Sequence, residues 1–266
     1  MGEARGRVLI IAGSDSGGGA GVQADIKTVT ALGGYAATAI TAITVQNTLG
    51  VHGVHALPTE LVRAQARAVL DDIGADAIKT GMLGAADVVE AVARILEGSS
   101  APAVIDPVMV AKGGASLLEA RAVDALRADL LPLAALLTPN APEAEALTGI
   151  AIADTDDLRR VGERLLTMGA RAVLMKGGHV PGESVIDLLM TPDGETLFEG
   201  ARIDSRHTHG TGCTLASACA VGLAQGMRLE HAVARGWAYT AEAIRRAPGF
   251  GAGAGPLDHA WPMRNR

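Results

Sequence analysis

Aromatic side chains are scarce in this 266-residue sequence: Phe, Tyr and Trp together make up 2% of it, two of each. Proteins that bind single-stranded nucleic acid stack bases on aromatic platforms, so this composition argues against that class. An excess of positive charge is also lacking. With 23 Lys and Arg against 29 Asp and Glu the formal net charge is −6, whereas a polyphosphate partner needs a basic surface. Cysteine occurs only at Cys213 and Cys219. Six positions apart in a helix-like stretch, their Cα atoms would lie ~9 Å apart, too far for a disulfide. The expectation is a reducing, cytoplasmic setting. Long hydrophobic runs are missing as well. Val8–Ala12 is too short for a signal peptide, Gly6 stands where myristoylation needs Ser or Thr, and the uncharged stretch Thr28–Val51 is broken by threonines, by Gly33-Gly34 and by Gln46-Asn47. No membrane association is expected.

Lysine is the remaining scarcity. It occurs at 27, 79, 112 and 176, and every other basic residue is Arg. Three of these lysines lie beside glycines, in Lys79-Thr80-Gly81, Lys112-Gly113-Gly114 and Lys176-Gly177-Gly178. Lys is a compact point charge that meets a phosphate end-on, where Arg presents a wide fork. The pattern is either chance or a set of anion contacts.

What is abundant is apolar residues at 48% and glycine at 34 positions, beside 20% charged residues, a globular composition. The length suits a single α/β domain able to bury its core without disulfide or metal. Arg7–Ala12, Tyr35–Val45, Ala77–Lys79, Ala103–Asp106, Ala134–Leu137 and Arg171–Met175 read as strands. Val22–Leu32, a segment capped by Thr59 and running to Asp72, Ala86–Leu96, Glu119–Leu131, a segment capped by Asp154 and running to Met168, Gly210–Gly226 and Leu229–Arg245 read as helices. Ser184–Met190 and Glu195–Glu199 flank Pro192-Asp193-Gly194 as a hairpin. Strands alternating with helices predict a mostly parallel sheet covered on both faces, and in such sheets ligands bind beyond the carboxyl ends of the strands.

The loop Gly13-Ser14-Asp15-Ser16-Gly17-Gly18-Gly19-Ala20-Gly21 follows the first strand. It has the glycine spacing of a Walker A loop from Gly13 to Gly18, but Gly19 occupies the position that requires Lys. A dinucleotide fingerprint, Gly19-x-Gly21-x-x-Ala24, lacks its ribose-binding acid, because residues 26–59 contain no Asp or Glu. The loop is either a close-approach site for a ligand or a tight structural turn. Thr208-His209-Gly210-Thr211-Gly212-Cys213 opens an apolar helix, and the backbone N–H groups of such an N-terminus form an anion site. Cys213 falls in its first turn, where the helix N-terminus lowers a thiol below its free pKa of ~8.5 and a thiolate could take a hydroxyl proton. The alternative is a glycine-entered helix with a small core Cys. His207 and His209 read as loop residues supporting the site, and Cys219 as core. Asn140-Ala141-Pro142-Glu143 is a capping box; Glu143 is equally suited to hold Mg²⁺ through water, and Asp106, before Pro107, has the same two readings.

Taken in order, Ala12–Gly21, Gln23-Ala24-Asp25-Ile26-Lys27, Gln46-Asn47-Thr48, Lys79-Thr80-Gly81-Met82, Asp106-Pro107-Val108-Met109, Thr138-Pro139-Asn140 with Glu143, Lys176-Gly177-Gly178-His179 and Gly210-Thr211-Gly212-Cys213 make the chain resemble the bacterial hydroxymethylpyrimidine/phosphomethylpyrimidine kinases of thiamine biosynthesis, within the ribokinase-like superfamily. The resemblance runs from the first strand to the tail. It implies one domain over residues 1–266, a three-layer α/β/α sandwich, a homodimer, and two successive ATP- and Mg²⁺-dependent phosphorylations of 4-amino-5-hydroxymethyl-2-methylpyrimidine and its monophosphate. It implies that Gln46 binds the pyrimidine through its amide, with Gly13, Asp25, Met82 and Val108 around the ring. Cys213 is then the base, and Gly210, Thr211 and Gly212 form the anion hole. Lys176, Thr208, Asn140 and Lys112 belong to the ATP side, Asp106 and Glu143 to the metal, and 108–118 to a flap over the site. A pyridoxal kinase is the alternative within the superfamily; some of its members carry a Cys in the flap, which Ala111-Lys112-Gly113-Gly114 lacks. A non-catalytic pyrimidine-binding module is the alternative outside it, and predicts loss of Lys176, Asp106 or Glu143, all of which are present.

Overall fold

In the first strand, β1 (Arg7–Ser14), Val8, Ile10 and Ala12 point to one face, Leu9 and Ile11 to the other, and all five are buried. A strand that is apolar on both faces must lie inside a sheet covered on both sides. The computed structural model describes residues 6–109 and 120–265 and bears this out. After β1 come α1 (Gly21–Ala31), β2 (Tyr35–Asn47), β3 (Gly50–Ala56), α2 (Thr59–Asp72), β4 (Ala77–Thr80), α3 (Ala86–Glu97) and β5 (Ala103–Ile105). The chain continues through α4 (Ala120–Ala125), β6 (Ala134–Leu137), α5 (Ala141–Thr148), α6 (Thr155–Thr167) and β7 (Val173–Met175). It ends with β8 (Ser184–Thr191), β9 (Gly194–Ala201), α7 (Thr211–Ala224) and α8 (Leu229–Arg245).

The strands form one nine-stranded sheet in the order β3-β2-β1-β4-β5-β6-β7-β8-β9. From β2 to β7 neighbouring strands run parallel, while β3, β8 and β9 are antiparallel additions at the two edges. Helices α2 to α6 cover one face with a core that includes Leu9, Ile78, Ile105, Leu137 and Val173. Helices α1, α7 and α8 cover the other, over Ile10, Val104, Leu136 and Leu174. The expected three-layer arrangement is therefore present. β1 has β2 on one side and β4 on the other, so the sheet changes its direction of growth there. The helices leaving neighbouring strands diverge at such a point and open a crevice at the carboxyl ends.

Several boundaries differ from the sequence reading for physical reasons. Strand β3 was not expected, because Gly50–Ala56 carries glycines and histidines rather than an alternating apolar pattern; it is held by its antiparallel register on β2. Thr59 is the first residue of α2 and does not cap it; its hydroxyl donates to Asp87 at the start of α3. The helix expected over Glu119–Leu131 is α-helical only at Ala120–Ala125, then widens into a π turn at Leu126–Leu130 and tightens into a 3₁₀ turn containing Pro132. Proline has no N–H to continue a helical ladder. Asp154 does cap α6, accepting the Asp157 N–H at 2.9 Å.

Ile10, with no exposed surface, lies at the centre of β1. Ile10→Ala is expected to cost about 2–5 kcal/mol. In urea unfolding the midpoint should fall with an unchanged slope.

Candidate active site

A cavity of about 700 Å³ opens in the crevice beside β1, at the carboxyl ends of β1, β4 and β5. Its wall includes Gly13, Gln46, Met82, Asp106, Val108, Asn140, Glu143, Lys176, Thr208, Gly210, Thr211, Gly212 and Cys213, so thirteen of the fifteen residues expected from sequence meet in one place. Of the other two, Lys112 lies outside the described residues, as does the proposed flap beyond residue 109. Asp25 is a correction. It has no exposed surface and does not reach the cavity; instead both its carboxylate oxygens hold Lys79 Nζ, at 3.0 and 2.9 Å.

The glycine loop lines the cavity through Gly13, Ser14, Asp15, Ala20 and Gly21. The Asp15 carboxylate turns inward and accepts the N–H groups of Gly17 at 2.8 Å, Gly19 at 3.0 Å and Ala20 at 2.8 Å. These donors, which a phosphate could have used, are already taken. What the glycines provide is close approach. Gly21 has φ +56°, and a Cβ there would meet the Gly13 carbonyl at 2.4 Å. Gly210 enters α7 at φ +85°, and a Cβ there would come within 1.8 Å of the Gly19 carbonyl. The loop and the start of α7 are pressed together, and only glycine fits.

The first turn of α7 therefore faces the cavity. Its N–H groups have no acceptors within the helix, and their dipoles favour an anion. Lys176 and Asp106 come up to this turn: a Cβ on Gly212 would lie 3.1 Å from Lys176 Nζ and 3.6 Å from Asp106 Oδ2. Lys176 Nζ, after β7, is 3.0 Å from Asp106 Oδ1 and 3.8 Å from Glu143 Oε2. Burial disfavours the charge on Lys176, but the two carboxylates outweigh it and hold the ammonium charged. Burial, with Asp106 adding to it and Lys176 opposing, pushes the Glu143 carboxyl up to about 7. The capping box is also real: the Asn140 N–H donates to Glu143 Oε2 at 2.8 Å and the Glu143 N–H to Asn140 Oδ1 at 2.9 Å. The cap fixes the Glu143 carboxylate on the cavity wall. Among the described residues no cluster of three or more His, Cys, Asp or Glu is placed to bind a metal ion. Two carboxylates bridged by an ammonium suit a cation that draws its other ligands from water and phosphate.

Cys213 lies one turn before Ser217 on α7, and Ser217 Oγ donates to Asp25 Oδ1 at 2.7 Å. The pair Lys79–Asp25 is thus packed directly under the thiol. Burial is the largest single effect on Lys79 and opposes its charge, but Asp25, through both its charge and its hydrogen bonds, together with Cys213 and Asp106 outweighs it and holds the ammonium protonated. The thiol itself departs from expectation. Burial pushes Cys213 up to about 12, and Asp25 and Asp106 add to that, while Lys79 and the Gly21 N–H favour the thiolate without prevailing. Burial outweighs what the helix N-terminus contributes at this position.

On the opposite wall, Gln46 ends β2 beside Thr44 and Met82. Met82 packs onto Gly13, its Cε lying 2.4 Å from where a Cβ would stand. Three further wall residues had been given no substrate, base, anion-hole, ATP or metal role by the resemblance: Lys79, Asp15 and His209. His209 Nε2 is 2.9 Å from Asp15 Oδ2 and 3.1 Å from Gln46 Nε2, so it belongs to the wall itself. Only its position in the Thr208–Cys213 block hinted at this. Asp15 and Lys79 were visible as the polar residues that end β1 and β4.

The family profile described as phosphomethylpyrimidine kinase matches residues 15–258. The chain is 51% identical over 256 residues to a hydroxymethylpyrimidine/phosphomethylpyrimidine kinase of Streptomyces coelicolor, covering 96% of this chain and 95% of that one. Among solved structures, an ADP complex of Bacillus subtilis pyridoxal kinase superposes with a TM-score of 0.91 at 35% identity, covering 98% of this chain and all of that one. A phosphomethylpyrimidine kinase from Clostridium difficile matches with a TM-score of 0.80 at 42% identity, covering 90% of this chain and 99% of that one.

The buried pair generates a test. Lys79→Met leaves Asp25 buried without its counter-charge and should destabilise the protein by about 3–5 kcal/mol. The double variant Lys79→Met with Asp25→Leu removes both charges and should recover most of that loss in denaturant unfolding. An equal loss in both variants would show that packing, and not charge pairing, is what the site requires.

Proposed function

The chain belongs to the phosphomethylpyrimidine kinase family, and on that premise we propose how its cavity carries out the reaction. It is a hydroxymethylpyrimidine and phosphomethylpyrimidine kinase of thiamine biosynthesis with a ribokinase-like α/β fold. The observation that carries the assignment of roles is the convergence of Gln46, Cys213, the α7 N-terminus and the Asp106–Lys176–Glu143 cluster on one cavity.

The ring lies against Gly13, Gln46, Met82 and Val108, with its hydroxymethyl group toward Cys213. ATP enters over Asn140, Thr208 and Lys176, so that its terminal phosphate reaches the N–H groups of Gly210, Thr211 and Gly212. In the first transfer the hydroxymethyl oxygen forms a bond to the γ-phosphorus, the bond from that phosphorus to the ADP oxygen breaks, and the hydroxyl proton passes to Cys213 sulfur. The α7 N-terminus and Lys176 stabilise the charge on the phosphoryl oxygens. Asp106 and Glu143 are the residues that would hold Mg²⁺, and a bound Mg²⁺ supplies neutralisation of the phosphate charge. In the second transfer the nucleophile is an oxygen of the monophosphate, already ionised at neutral pH, so no base is required. The same anion hole serves both steps.

The remaining organisation is read on the same footing. Residues 1–266 form one kinase domain. The β2–β3 hairpin exposes Ile43, Val45, Leu49 and Val54, at 43%, 63%, 69% and 53%, which supports a homodimer. No helix among the described residues is long and apolar enough to cross a membrane. Both cysteines are free, which fits a reducing, cytoplasmic setting.

With the Cys213 thiol at about 12, the thiolate that takes the proton is a strong base in short supply, and its fraction rises about tenfold per pH unit below that value. The chemical step of the first transfer should therefore accelerate with pH between neutral and alkaline conditions, while the second stays flat. Cys213→Ala should abolish that slope and cost the first step about 10²–10⁴-fold, with a much smaller effect on the second. Single-turnover rates for the two substrates measure this. Equal losses in both steps would assign Cys213 to the anion hole or to structure.

A further inference from the structure

Gln46 is the polar residue that meets the ring in the reading above, and its neighbours determine which way its amide points. Gln46 Nε2 lies 3.1 Å from His209 Nε2, and Gln46 Oε1 lies 3.2 Å from Thr44 Oγ1. His209 Nε2 is also 2.9 Å from Asp15 Oδ2. Asp15 already accepts three backbone N–H groups. Burial pushes its carboxyl up, but the hydrogen bonds from His209, Ala20 and Gly17 prevail and hold it below its ordinary value. It is a carboxylate and can only accept. The proton between them is therefore on His209 Nε2, and that nitrogen is a donor. An amide NH₂ facing it is a mismatch.

The other end of the amide is mismatched too. The Thr44 hydroxyl has one proton and gives it to the Ser14 carbonyl at 2.8 Å. Its lone pairs then face Gln46 Oε1. Turning the amide by 180° repairs both ends at once: the carbonyl shares the single His209 Nε2–H with Asp15 Oδ2, and the NH₂ donates to Thr44 Oγ1. Amide oxygen and nitrogen have nearly the same shape, so the hydrogen-bond network decides between them.

We propose that His209 and Thr44 lock the Gln46 amide with its carbonyl toward His209 and its NH₂ toward Thr44, and that His209 is thereby a positioning residue for recognition of the aminopyrimidine ring. This rests on the reading that Gln46 binds that ring. The locked amide has one lone pair and one N–H left, side by side and in fixed order. The 4-amino group and the adjacent ring nitrogen of the substrate present the matching donor and acceptor, the pairing by which a side-chain amide reads adenine. A freely turning amide would take the ring in two orientations; a locked one takes it in one, which aims the hydroxymethyl group on the next ring carbon. Pyridoxal has no adjacent amino and ring-nitrogen pair to offer. Preorganising the amide before the substrate arrives lowers the cost of ordering it on binding.

The test compares kcat/KM for the aminopyrimidine alcohol and for its analogue lacking the 4-amino group. Gln46→Ala checks the underlying reading and should erase the preference between them. His209→Leu should lower the preference about tenfold or more through the KM of the amino substrate, with the KM for ATP unchanged. His209→Gln, which keeps a donor at similar reach, should restore most of it. If Gln46→Ala leaves the preference intact, the role of Gln46 fails and the inference with it. If Gln46→Ala erases the preference but His209→Leu keeps it with an unchanged KM, the inference alone fails. A parallel loss for both substrates and for ATP in His209→Leu would likewise reduce His209 to a structural residue. Because His209 also packs on Gly19 and its N–H bonds the Gly255 carbonyl, its replacement can disturb folding. The orientation is therefore read independently in the unaltered protein by NMR. Nuclear Overhauser effects from the Gln46 side-chain NH₂ should reach the Thr44 methyl group; effects to the His209 ring proton between its nitrogens in their place would overturn the proposal.

Discussion

One buried ion pair determines how the cavity is assembled. Lys79 at the end of β4 and Asp25 in α1 have no exposed surface, and Ser217 of α7 completes the Asp25 carboxylate. Strand β4 and two helices of the same face, α1 and α7, are thus tied at one point near the Cys213 thiol. Pairs of this kind contribute little net stability, because desolvation offsets attraction, but losing one partner is severe. Their effect is to fix geometry: the first turn of α7 cannot shift relative to β4 and α1 without breaking hydrogen bonds to a buried charge.

Around that point the site divides its charges by task. The Asp106–Lys176–Glu143 cluster gathers two carboxylates and one ammonium where a nucleotide phosphate and its cation would be held. The opposite wall, with Gln46, Thr44 and Met82, carries no free charge and suits a small neutral ring. Between them stand the α7 N-terminus and Cys213. The division follows from the sheet: β1 is the strand at which the order reverses, so the loops from β1 and β2 lie on one side of the crevice and those from β5 and β7 on the other. Glycines let the walls touch. At Gly13, Gly21 and Gly210 the space a Cβ would need is filled by Met82, by the Gly13 carbonyl and by the Gly19 carbonyl.

Much of this was legible in the residues. The capping box at Asn140 and Glu143, the cap at Asp154, and the bounds of β6 and α8 follow from local rules, and the structure has them where those rules put them. The polar residues after each strand also met in one cavity, because a parallel sheet places all those ends on one side. What was not legible depends on contacts between distant segments. Asp25 was expected at the ring, but nothing local shows that Lys79, 54 residues on, would claim it. The glycine loop was legible as a place of close approach; that the Asp15 carboxylate would fold back to take three of its N–H groups was not. The thiol was expected to fall in pKa from its helix position alone, yet burial, a property of the whole fold, pushes it up. Strand β3 has no pattern of its own and exists through β2. His209 meets Gln46 and Asp15 only because β2 and the start of α7 come together.

The central claim is that one cavity, built on the Lys79–Asp25 pair, transfers two phosphoryl groups in succession to an aminopyrimidine. Mass spectrometry of the products formed with Mg-ATP, offering the aminopyrimidine alcohol and pyridoxal in separate reactions, tests it most directly. The account predicts pyrimidine monophosphate followed by diphosphate. Pyridoxal phosphate without any pyrimidine diphosphate would contradict it.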